Sequence, residues 1–263
     1  MSILDRIWGK LGRYAGRHAG EECYVFGDGP SVKWFDFAHF ADKPAICCNM
    51  LPFHNDFEKL DVRYCTLTTP RYFAPRFLRH RDYLIDGQAI SAEYRNFVAA
   101  HRQVEFLFHV TNFPFIRGPN VNFALQHLPS AAGPLAARLN RQNVFSGAFF
   151  AALSLAYFLG FARVYLVGFD AWTIQPSRNL HWYELGEGEL FEATNFAPDF
   201  LQVLKEAMEI CTISIDGDSR NVTNIHYADF TGRPPRFREN HELVSERFLK
   251  VLATYPKYRI FPK

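Results

Sequence analysis

A glycine-rich segment near the amino terminus has the residue types of an anion-binding turn. It follows a short apolar run that predicts a β-strand, and its glycines and proline predict a tight turn at the carboxyl end of that strand. Glycine allows a positive φ and a close approach of the backbone to a ligand, and proline makes the turn rigid. Free amides at such a turn bind anions, and open α/β sheets bind ligands at this edge. We therefore predict a cradle for a nucleotide or sugar phosphate, formed by Gly27, Asp28, Gly29, Pro30 and Ser31. The alternative is a turn with only a structural role.

A second block predicts a buried helix, a strand and another sharp turn. Residues 148–159 are apolar nearly all round, and Ser146 and Gly147 precede them, with Ser146 expected as the N-cap. The run Val164–Val167 predicts a buried parallel strand, and Asp170 follows it after a glycine. A side chain at that edge of the sheet is a candidate site residue. The alternative for Asp170 is a hydrogen bond to turn amides, and for Ser146 a plain helix cap.

The overall composition excludes several classes of protein. The 263 residues are enough for one large α/β domain, and a formal net charge of +2 is too small to indicate a nucleic-acid partner. No apolar run reaches the roughly 18 residues of a membrane-spanning helix. The five cysteines lack metal-ligand spacing and lie mostly in apolar runs, which predicts buried thiols in a reducing cytoplasm.

The order of elements predicts an α/β fold with a mostly parallel sheet, helices on both faces and a mobile lid. We expect an N-terminal amphipathic helix at residues 1–20, a main ligand-binding domain at 21–229 that includes the aromatic lid at 171–197, and a helical tail at 230–263. Strands are predicted at 24–26, 45–48, 62–67, 104–110, 164–167 and 212–215, and helices at 53–60, 147–159, 199–210 and 242–255.

Two basic segments have both a functional and a structural interpretation. The N-terminal helix carries basic residues opposite its apolar side, which is typical of a helix on an anionic membrane surface. The alternative is a helix packed on its own domain. Arg71, Arg76, Arg79 and Arg81 form a basic cluster with interleaved aromatic residues. This cluster is either a site for an anionic acceptor or membrane surface, or a solvated face over a packed helix.

Four short motifs, in chain order, resemble those of the bacterial sialyltransferases of glycosyltransferase family 42. They also resemble a related group that includes the motility-associated flagellin glycosylation proteins and a hydroxymethylpterin pyrophosphokinase. The resemblance spans roughly residues 22–215. It implies a Rossmann-like enzyme that transfers sialic acid from CMP-sialic acid with inversion and without a metal ion. The motifs are Gly27–Ser31, Cys47–Asn49, Phe145–Gly147 and Tyr165–Asp170.

The resemblance also implies a role for individual residues. Asp28 stands where the family has asparagine, which favours a contact to the ribose or the cytosine amino group rather than to the phosphate. In the lid, Trp172 and Tyr183 correspond to tyrosines that hydrogen-bond the departing phosphate. Both, together with Trp182, have the alternative of packing under a loop. The residues expected at the nucleotide are Gly27, Asp28, Gly29, Pro30, Ser31, Asn49, Ser146, Gly147 and Asp170, although Asn49 has the alternative of holding a turn.

At two positions the sequence departs from the family pattern. Asn143 replaces the arginine three residues before the serine of the helix start, and Thr194 stands near the position of the general-base histidine. An inverting transferase needs a base within reach of the acceptor hydroxyl. His181, displaced within the lid, is the candidate; its alternative is an ordinary packed or surface histidine.

The resemblance and the residues together predict a transferase of a CMP-activated acidic sugar. The expected acceptor is a glycan or glycolipid of lipopolysaccharide or capsule. The expected location is the cytoplasm, with a peripheral contact at the inner membrane and possible assembly into homo-oligomers. No cofactor, metal ion or nucleic acid is expected, since the CMP-sugar is itself the donor substrate. The alternatives are a pyrophosphokinase-like phosphoryl transfer, with Mg²⁺ held by Asp28 and Asp170, and a catalytically inactive nucleotide-sugar-binding scaffold.

Overall fold

The computed structural model describes residues 10–75, 87–126, 128, 134–139, 146–170, 181–188, 197–216, 219, 221–255 and 258–262. Within these ranges the strands form one sheet, and every neighbouring pair is parallel. The strands are β1 Glu22–Phe26, β2 Pro44–Cys48, β3 Asp61–Leu67, β4 Glu105–His109, β5 Val121–Ala124, β6 Arg163–Val167, β7 Glu209–Ser214 and β8 Thr223–His226.

The strand order, β5-β4-β3-β2-β1-β6-β7-β8, places β1 at the centre of the sheet. From β1 the chain moves outward strand by strand to β5, then crosses back to β6 and moves outward the other way. The order therefore reverses between β1 and β6, and in open α/β sheets such a reversal marks the ligand-binding crevice. The prediction of an α/β fold with a parallel sheet is confirmed.

The sheet is buried on both faces, which explains why its strands are continuous apolar runs. In β1, Tyr24 and Phe26 belong to one apolar cluster, whereas Cys23 and Val25 belong to the cluster on the opposite face. Successive side chains of a strand point to opposite faces, so both positions of the pleat must be apolar here. All five cysteines are free and buried, as the sequence predicts.

Helices cover both faces of the sheet. The cluster that contains Val25 also holds the apolar side chains of α3 and α4, and the cluster with Phe26 holds those of α1 and α7. Helix α3 ends where predicted, because Gly160 takes a left-handed φ of 88° as its C-cap. The helices are α1 Gly87–Ala100, α2 Pro134–Leu139, α3 Ala148–Leu159, α4 Pro198–Leu204, α5 Tyr227–Thr231, α6 Asn240–Leu243 and α7 Glu246–Leu252.

The two edge strands, β5 and β8, are missing from the sequence prediction. Strand β5 has four residues within a segment rich in proline, asparagine and glycine, and β8 has four residues that are all partly exposed. In neither strand do apolar and polar residues clearly alternate. Their pairing with β4 and β7 is a tertiary effect that local sequence does not encode.

Three predicted helices differ from the structure. The helix expected at 199–210 ends at Leu204, because residues from Glu209 onward pair with β6. The helix expected at 242–255 is divided: Val244 forms a bridge with His54, and Ser245 then caps α7 by accepting from the amide of Phe248. Residues 53–60 contain only short 3-10 turns.

The described part of the N-terminal segment packs against the domain. Leu11 and Tyr14 are buried in the cluster of α3, and the ammonium of Lys10 donates to the carbonyl of Val121 at 2.6 Å. Residues 1–9 of the predicted amphipathic helix lie outside the described residues. No helix among the described residues has the length and apolar character needed to cross a membrane.

Candidate active site

The predicted glycine-rich turn lies at the reversal of strand order, beside the turn that follows β6. Three backbone amides of this bend donate hydrogen bonds to the end of β6 and to the turn after it. Gly27 donates to the carbonyl of Val167 at 2.8 Å, Gly29 to the carbonyl of Gly168 at 2.7 Å, and Ser31 to Oδ2 of Asp170 at 2.6 Å. We call residues 27–31 the switch-point bend. Its hydrogen bonds continue the β1–β6 pairing beyond the ends of the strands.

The glycines of the switch-point bend are required for space rather than for backbone conformation. Gly29 has a φ of −70°, a value that any residue can adopt. A Cβ on Gly29 would lie 2.6 Å from Asp170 Oδ2, and one on Gly27 would lie 2.5 Å from the carbonyl oxygen of Gly168. In folded proteins a Cβ atom does not come within 3.0 Å of another non-bonded heavy atom. The glycines therefore allow the two turns to touch, and the positive φ is found at Gly168, at 71°.

The amide cradle expected for an anion is therefore occupied by the protein itself. The carboxylate of Asp170 accepts a hydrogen bond from the backbone amide of Ser31, and backbone carbonyls accept from the amides of Gly27 and Gly29. Pro30 has no amide hydrogen to offer. Burial raises the pKa of Asp170 to about 6, although its bonds to Ser31 oppose this shift. A bound phosphate at this bend would need donors other than these amides.

Asp28 joins three segments that are distant in the sequence. Its carboxylate accepts hydrogen bonds from the amide of Met50 and from Nε1 of Trp182, each at 3.2 Å, and interacts with the side chain of Asn49. Burial raises the pKa of Asp28, while the charge of protonated His181 and these hydrogen bonds lower it. The ends of β1 and β2 and the segment around residue 182 therefore meet at one carboxylate.

Asn49 and the start of α3 lie next to each other. Asn49 has a left-handed φ of 44°, and its backbone amide donates to the carbonyl of Thr66 at 2.9 Å. Asn49 therefore also holds the turn after β2. The thiol of the preceding residue, Cys48, donates to the carbonyl of Ala148 at 3.8 Å. The N-cap of α3 is Gly147, not Ser146 as predicted; Ser146 precedes it and is exposed.

His181 forms a pair with a buried glutamate. Its Nδ1 lies 2.8 Å from Oε1 of Glu184, whose side chain is only 5% exposed. A carboxylate can only accept, so Nδ1 carries the proton and the lone pair of a neutral imidazole lies on Nε2. The other glutamate oxygen accepts from the amide of Arg259 at 3.2 Å. About a third of the His181 side chain, 32%, remains exposed.

The aromatic residues next to His181 are part of the core. Tyr183 stacks on the His181 ring at a centroid distance of 4.9 Å and meets Tyr258 edge-on at 5.1 Å. Both Trp182 and Tyr183 are almost fully buried, and burial raises the pKa of Tyr183 well above its usual range. Their packing under the surface matches the structural alternative of the sequence analysis. A role of Tyr183 at a departing phosphate stays a prediction.

A buried lysine fixes the segment that carries His181. The ammonium of Lys33, which has no exposed area, donates to the carbonyls of Glu184 and Gly186 and lies 3.3 Å from Oε1 of Glu239. The two carboxylate oxygens of Glu239 in turn accept from the amide of Gly186, each at 3.0 Å. Burial lowers the pKa of Lys33, and Glu239 opposes that shift. We call residues 181–188 the dyad segment.

Sequence analysis missed Lys33, Glu184 and Glu239. Lys33 is separated from its partners by 151 to 206 residues, so no local pattern relates them. Glu184 follows His181 by three residues, and this spacing was the only available signal. Trp172 and the substituted positions Asn143 and Thr194 lie outside the described residues.

The described residues do not bring three histidine, cysteine, aspartate or glutamate side chains together as a metal site. The two carboxylates that a phosphoryl transferase would use for Mg²⁺ are both engaged with protein donors. Asp28 accepts from Met50 and Trp182, and Asp170 accepts from Ser31.

Comparison with protein-family models and with curated protein sequences finds no match. Among solved structures, the chain is similar to the sialyltransferase CstII from Campylobacter jejuni in complex with cytidine-5'-monophosphate, at 12% identity and a TM-score of 0.47, covering 90% of this chain and 98% of that one. It is also similar to the monofunctional α-2,3-sialyltransferase Cst-I from Campylobacter jejuni, at 13% identity and a TM-score of 0.47, covering 89% and 93%.

A third similar structure is the MAf glycosyltransferase from Magnetospirillum magneticum AMB-1, at 12% identity and a TM-score of 0.45. The alignment covers 98% of this chain but 43% of that longer one. These three proteins belong to the family and the related group that the sequence motifs resemble.

Proposed function

We propose that the protein is a glycosyltransferase that moves a CMP-activated acidic sugar to an acceptor hydroxyl, with inversion and without a metal ion. The observation that carries the proposal is the His181–Glu184 pair, which lies beside Asp28 at the reversal of strand order. A histidine whose second nitrogen is fixed by a carboxylate is a common arrangement of a general base. The pair also lies at the reversal of strand order, which is where open α/β sheets bind ligands.

In the proposed reaction, Nε2 of His181 removes the proton from the acceptor hydroxyl. The acceptor oxygen forms the new bond to the anomeric carbon while the bond from that carbon to the phosphate oxygen of CMP breaks. CMP leaves with the bonding electrons, and the proton stays on His181. Glu184 stabilises the imidazolium that forms, because its carboxylate already accepts from Nδ1. The transfer leaves the sugar inverted, because attack and departure occur on opposite sides of the carbon.

The motif residues support a nucleotide at this site. Asp28 and Asn49 interact directly, and α3 begins against the residue before Asn49. Carboxylate and amide oxygens suit the hydroxyls of ribose and the amino group of cytosine. We propose that these groups hold the nucleoside, and that Gly27, Gly29 and Pro30 keep the switch-point bend close enough to β6 to shape the pocket.

We further propose that the acceptor is a cell-surface glycan or glycolipid and that the enzyme acts in the cytoplasm, at the membrane where such acceptors are made. The five cysteines are free and buried, which suits a reducing compartment, and the N-terminal segment is basic. Homo-oligomerisation is part of the same proposal.

A second candidate is an inactive nucleotide-sugar-binding scaffold. It is favoured by the occupied amides of the switch-point bend and by the loss of the family arginine and histidine at Asn143 and Thr194. The His181–Glu184 pair favours the enzyme, because a scaffold has no need of a carboxylate-oriented imidazole.

Two measurements test the proposal. Thermal-shift assays with CMP, UDP, GDP and ATP, each with and without Mg²⁺, should show stabilisation by CMP alone. Release of CMP from CMP-sialic acid should then depend on His181 and persist in His241→Ala, a control that removes an exposed histidine of α6. Stabilisation by CMP without any CMP release would favour the scaffold. Stabilisation only by ATP with Mg²⁺ would contradict both candidates.

A further inference from the structure

A cavity far from the candidate active site is lined by three arginines. It has a volume of about 460 Å³ and lies between the carboxyl-terminal half of α1 and the chain from Pro114 to Asn120, which leads into β5. Helix α1 ends just before β4 begins, and residue 120 precedes β5, so the cavity lies toward the amino ends of these strands. The candidate active site lies at their carboxyl ends. We call this cavity the arginine groove.

The walls of the arginine groove are held together by two side chains. Nδ2 of Asn120, which is buried, donates to the carbonyls that end α1 and begin β4. The guanidinium of Arg95 donates to the carbonyls of Phe115 and, at 2.8 Å, Phe73. The acceptors of Asn120 are Val98 at 3.2 Å, His101 at 3.0 Å and Val104 at 3.0 Å. A groove fixed in this way does not have to order its walls when a ligand binds.

Two exposed arginines, Arg102 and Arg117, give the arginine groove its available positive charge. Its lining includes Arg95, Arg102 and Arg117 and no aspartate or glutamate. Arg102 and Arg117 are exposed, and neither forms an ion pair with any residue that the structure describes. By contrast, Arg138, another surface arginine, pairs with Glu206 at 2.7 Å. Two exposed guanidinium groups that share one cavity attract an anion with more than one negative charge.

We propose that the arginine groove binds a phosphoryl group, carried on a small sugar phosphate or on a lipid headgroup. The planar guanidinium fork pairs with two phosphate oxygens at once, and a phosphate monoester or diphosphate carries the charge that balances these side chains. The volume lies within the range of small-ligand sites. Arg95 is fixed as one wall, whereas Arg102 and Arg117 close on the ligand. The groove does not depend on the transferase reaction, because it lies at the other end of the strands.

Isothermal titration with pyrophosphate tests the proposal directly. We expect saturable binding that weakens with added salt, and amide shifts in two-dimensional NMR at Arg117, Gly118 and Asn120. Arg102→Gln and Arg117→Gln should each weaken the affinity about tenfold or more, since each removes a charge-assisted hydrogen bond. The control is Arg233→Gln, which removes an exposed arginine after α5, beside the opposite edge strand β8. It should bind as the wild type does.

Two further arms separate the sources of the phosphoryl group and the two sites of the protein. Vesicles of phosphatidylcholine with phosphatidic acid should retain the wild type more strongly than the double variant, which combines Arg102→Gln with Arg117→Gln, if the natural ligand is a lipid. Vesicle binding that is equal in both, together with pyrophosphate binding, would assign a free phosphorylated ligand. The proposal is overturned if pyrophosphate binding is absent, is unchanged in the double variant, or is displaced by CMP.

Discussion

The backbone amide of Ser31 donates to Oδ2 of Asp170 at 2.6 Å, across 139 residues of sequence. The contact joins the turn after β1 to the turn after β6, at the reversal of strand order. Two residues that sequence motifs place at a nucleotide are thus bonded to each other. Because the buried carboxylate of Asp170 is one of the partners, protein stability should depend on its ionisation and therefore on pH.

We predict that Asp170→Asn makes the protein less sensitive to pH. The pKa of Asp170 in the folded protein, about 6, lies above its ordinary value of 3.8. Its contribution to stability is therefore complete below the ordinary value and is lost as pH rises through about 6. Asparagine keeps an oxygen acceptor for the Ser31 amide and cannot ionise. The free energy of unfolding of the variant, relative to wild type, should rise by on the order of 3 kcal/mol across this range.

Urea denaturation of both proteins at about pH 4 and about pH 8 measures this difference. Groups that titrate elsewhere affect both proteins equally and cancel. A constant difference between the variant and the wild type over the whole range would show that Asp170 does not ionise in this window.

A second prediction concerns the space between the two turns. Gly29→Ala should lower the free energy of unfolding by about 1–3 kcal/mol, because the new Cβ would lie 2.6 Å from both Asp170 Oδ2 and the carbonyl oxygen of Gly168. Gly12→Ala is the matched control, since a Cβ there meets nothing within 4 Å. It should be neutral or slightly stabilising. Equal effects of the two substitutions, measured by chemical denaturation, would contradict the close approach of the turn after β1 to the turn after β6.

The central strands and their turns were predictable because their signal is local. An apolar run of strand length followed by glycine identifies the ends of β1 and β6, and continuous apolar character identifies burial on both faces. The edge strands β5 and β8 lack this signal. The sheet order was not predictable either, because which strands pair depends on how the crossovers pack rather than on any one segment.

The site was predictable only in part for the same reason. His181, Asp28 and Asn49 stand in or near recognisable motifs. The residues that fix their geometry do not: Lys33 contacts Glu184 across 151 residues and Glu239 across 206. Sequence also could not show that the amides of the switch-point bend donate to β6, since a turn that binds an anion and one that binds a neighbouring turn use the same residues.

The third prediction tests the buried lysine. Lys33→Met should lower the free energy of unfolding by about 3 kcal/mol or more, because it leaves Glu239 without its buried cation and two carbonyls without a donor. Lys43→Met is the matched control. Lys43 pairs with Asp42, whose side chain is 61% exposed, so its loss should cost under about 1 kcal/mol.

A double-mutant cycle separates the pair from general damage to the core. Lys33→Met combined with Glu239→Gln should be more stable than the sum of the two single effects predicts, by about 1–3 kcal/mol, because the second change removes the unpaired charge. Strict additivity in denaturant titrations would show that Lys33 and Glu239 do not stabilise each other.

The last prediction concerns the proposed base and its partner. His181→Ala should lower kcat for CMP release from CMP-sialic acid by about 10²–10⁴-fold, the usual contribution of a positioned base. Glu184→Gln should lower kcat less, by about 10–100-fold, because glutamine accepts from Nδ1 but carries no charge to stabilise the imidazolium. KM for the donor should change little in either, since neither group is proposed to hold the nucleotide.

Glu187→Gln provides the control within the same dyad segment, because Glu187 is exposed and no described hydrogen bond or ion pair joins it to His181. It should retain the wild-type kcat.

Nitrogen NMR shifts of the His181 ring give a readout that does not require turnover: the neutral wild type should carry its proton on Nδ1, and Glu184→Ala should populate both tautomers. Retained turnover in His181→Ala would eliminate the proposed base. A wild type protonated on Nε2 would instead contradict the geometry of the pair, because a carboxylate at 2.8 Å from Nδ1 needs a donor there.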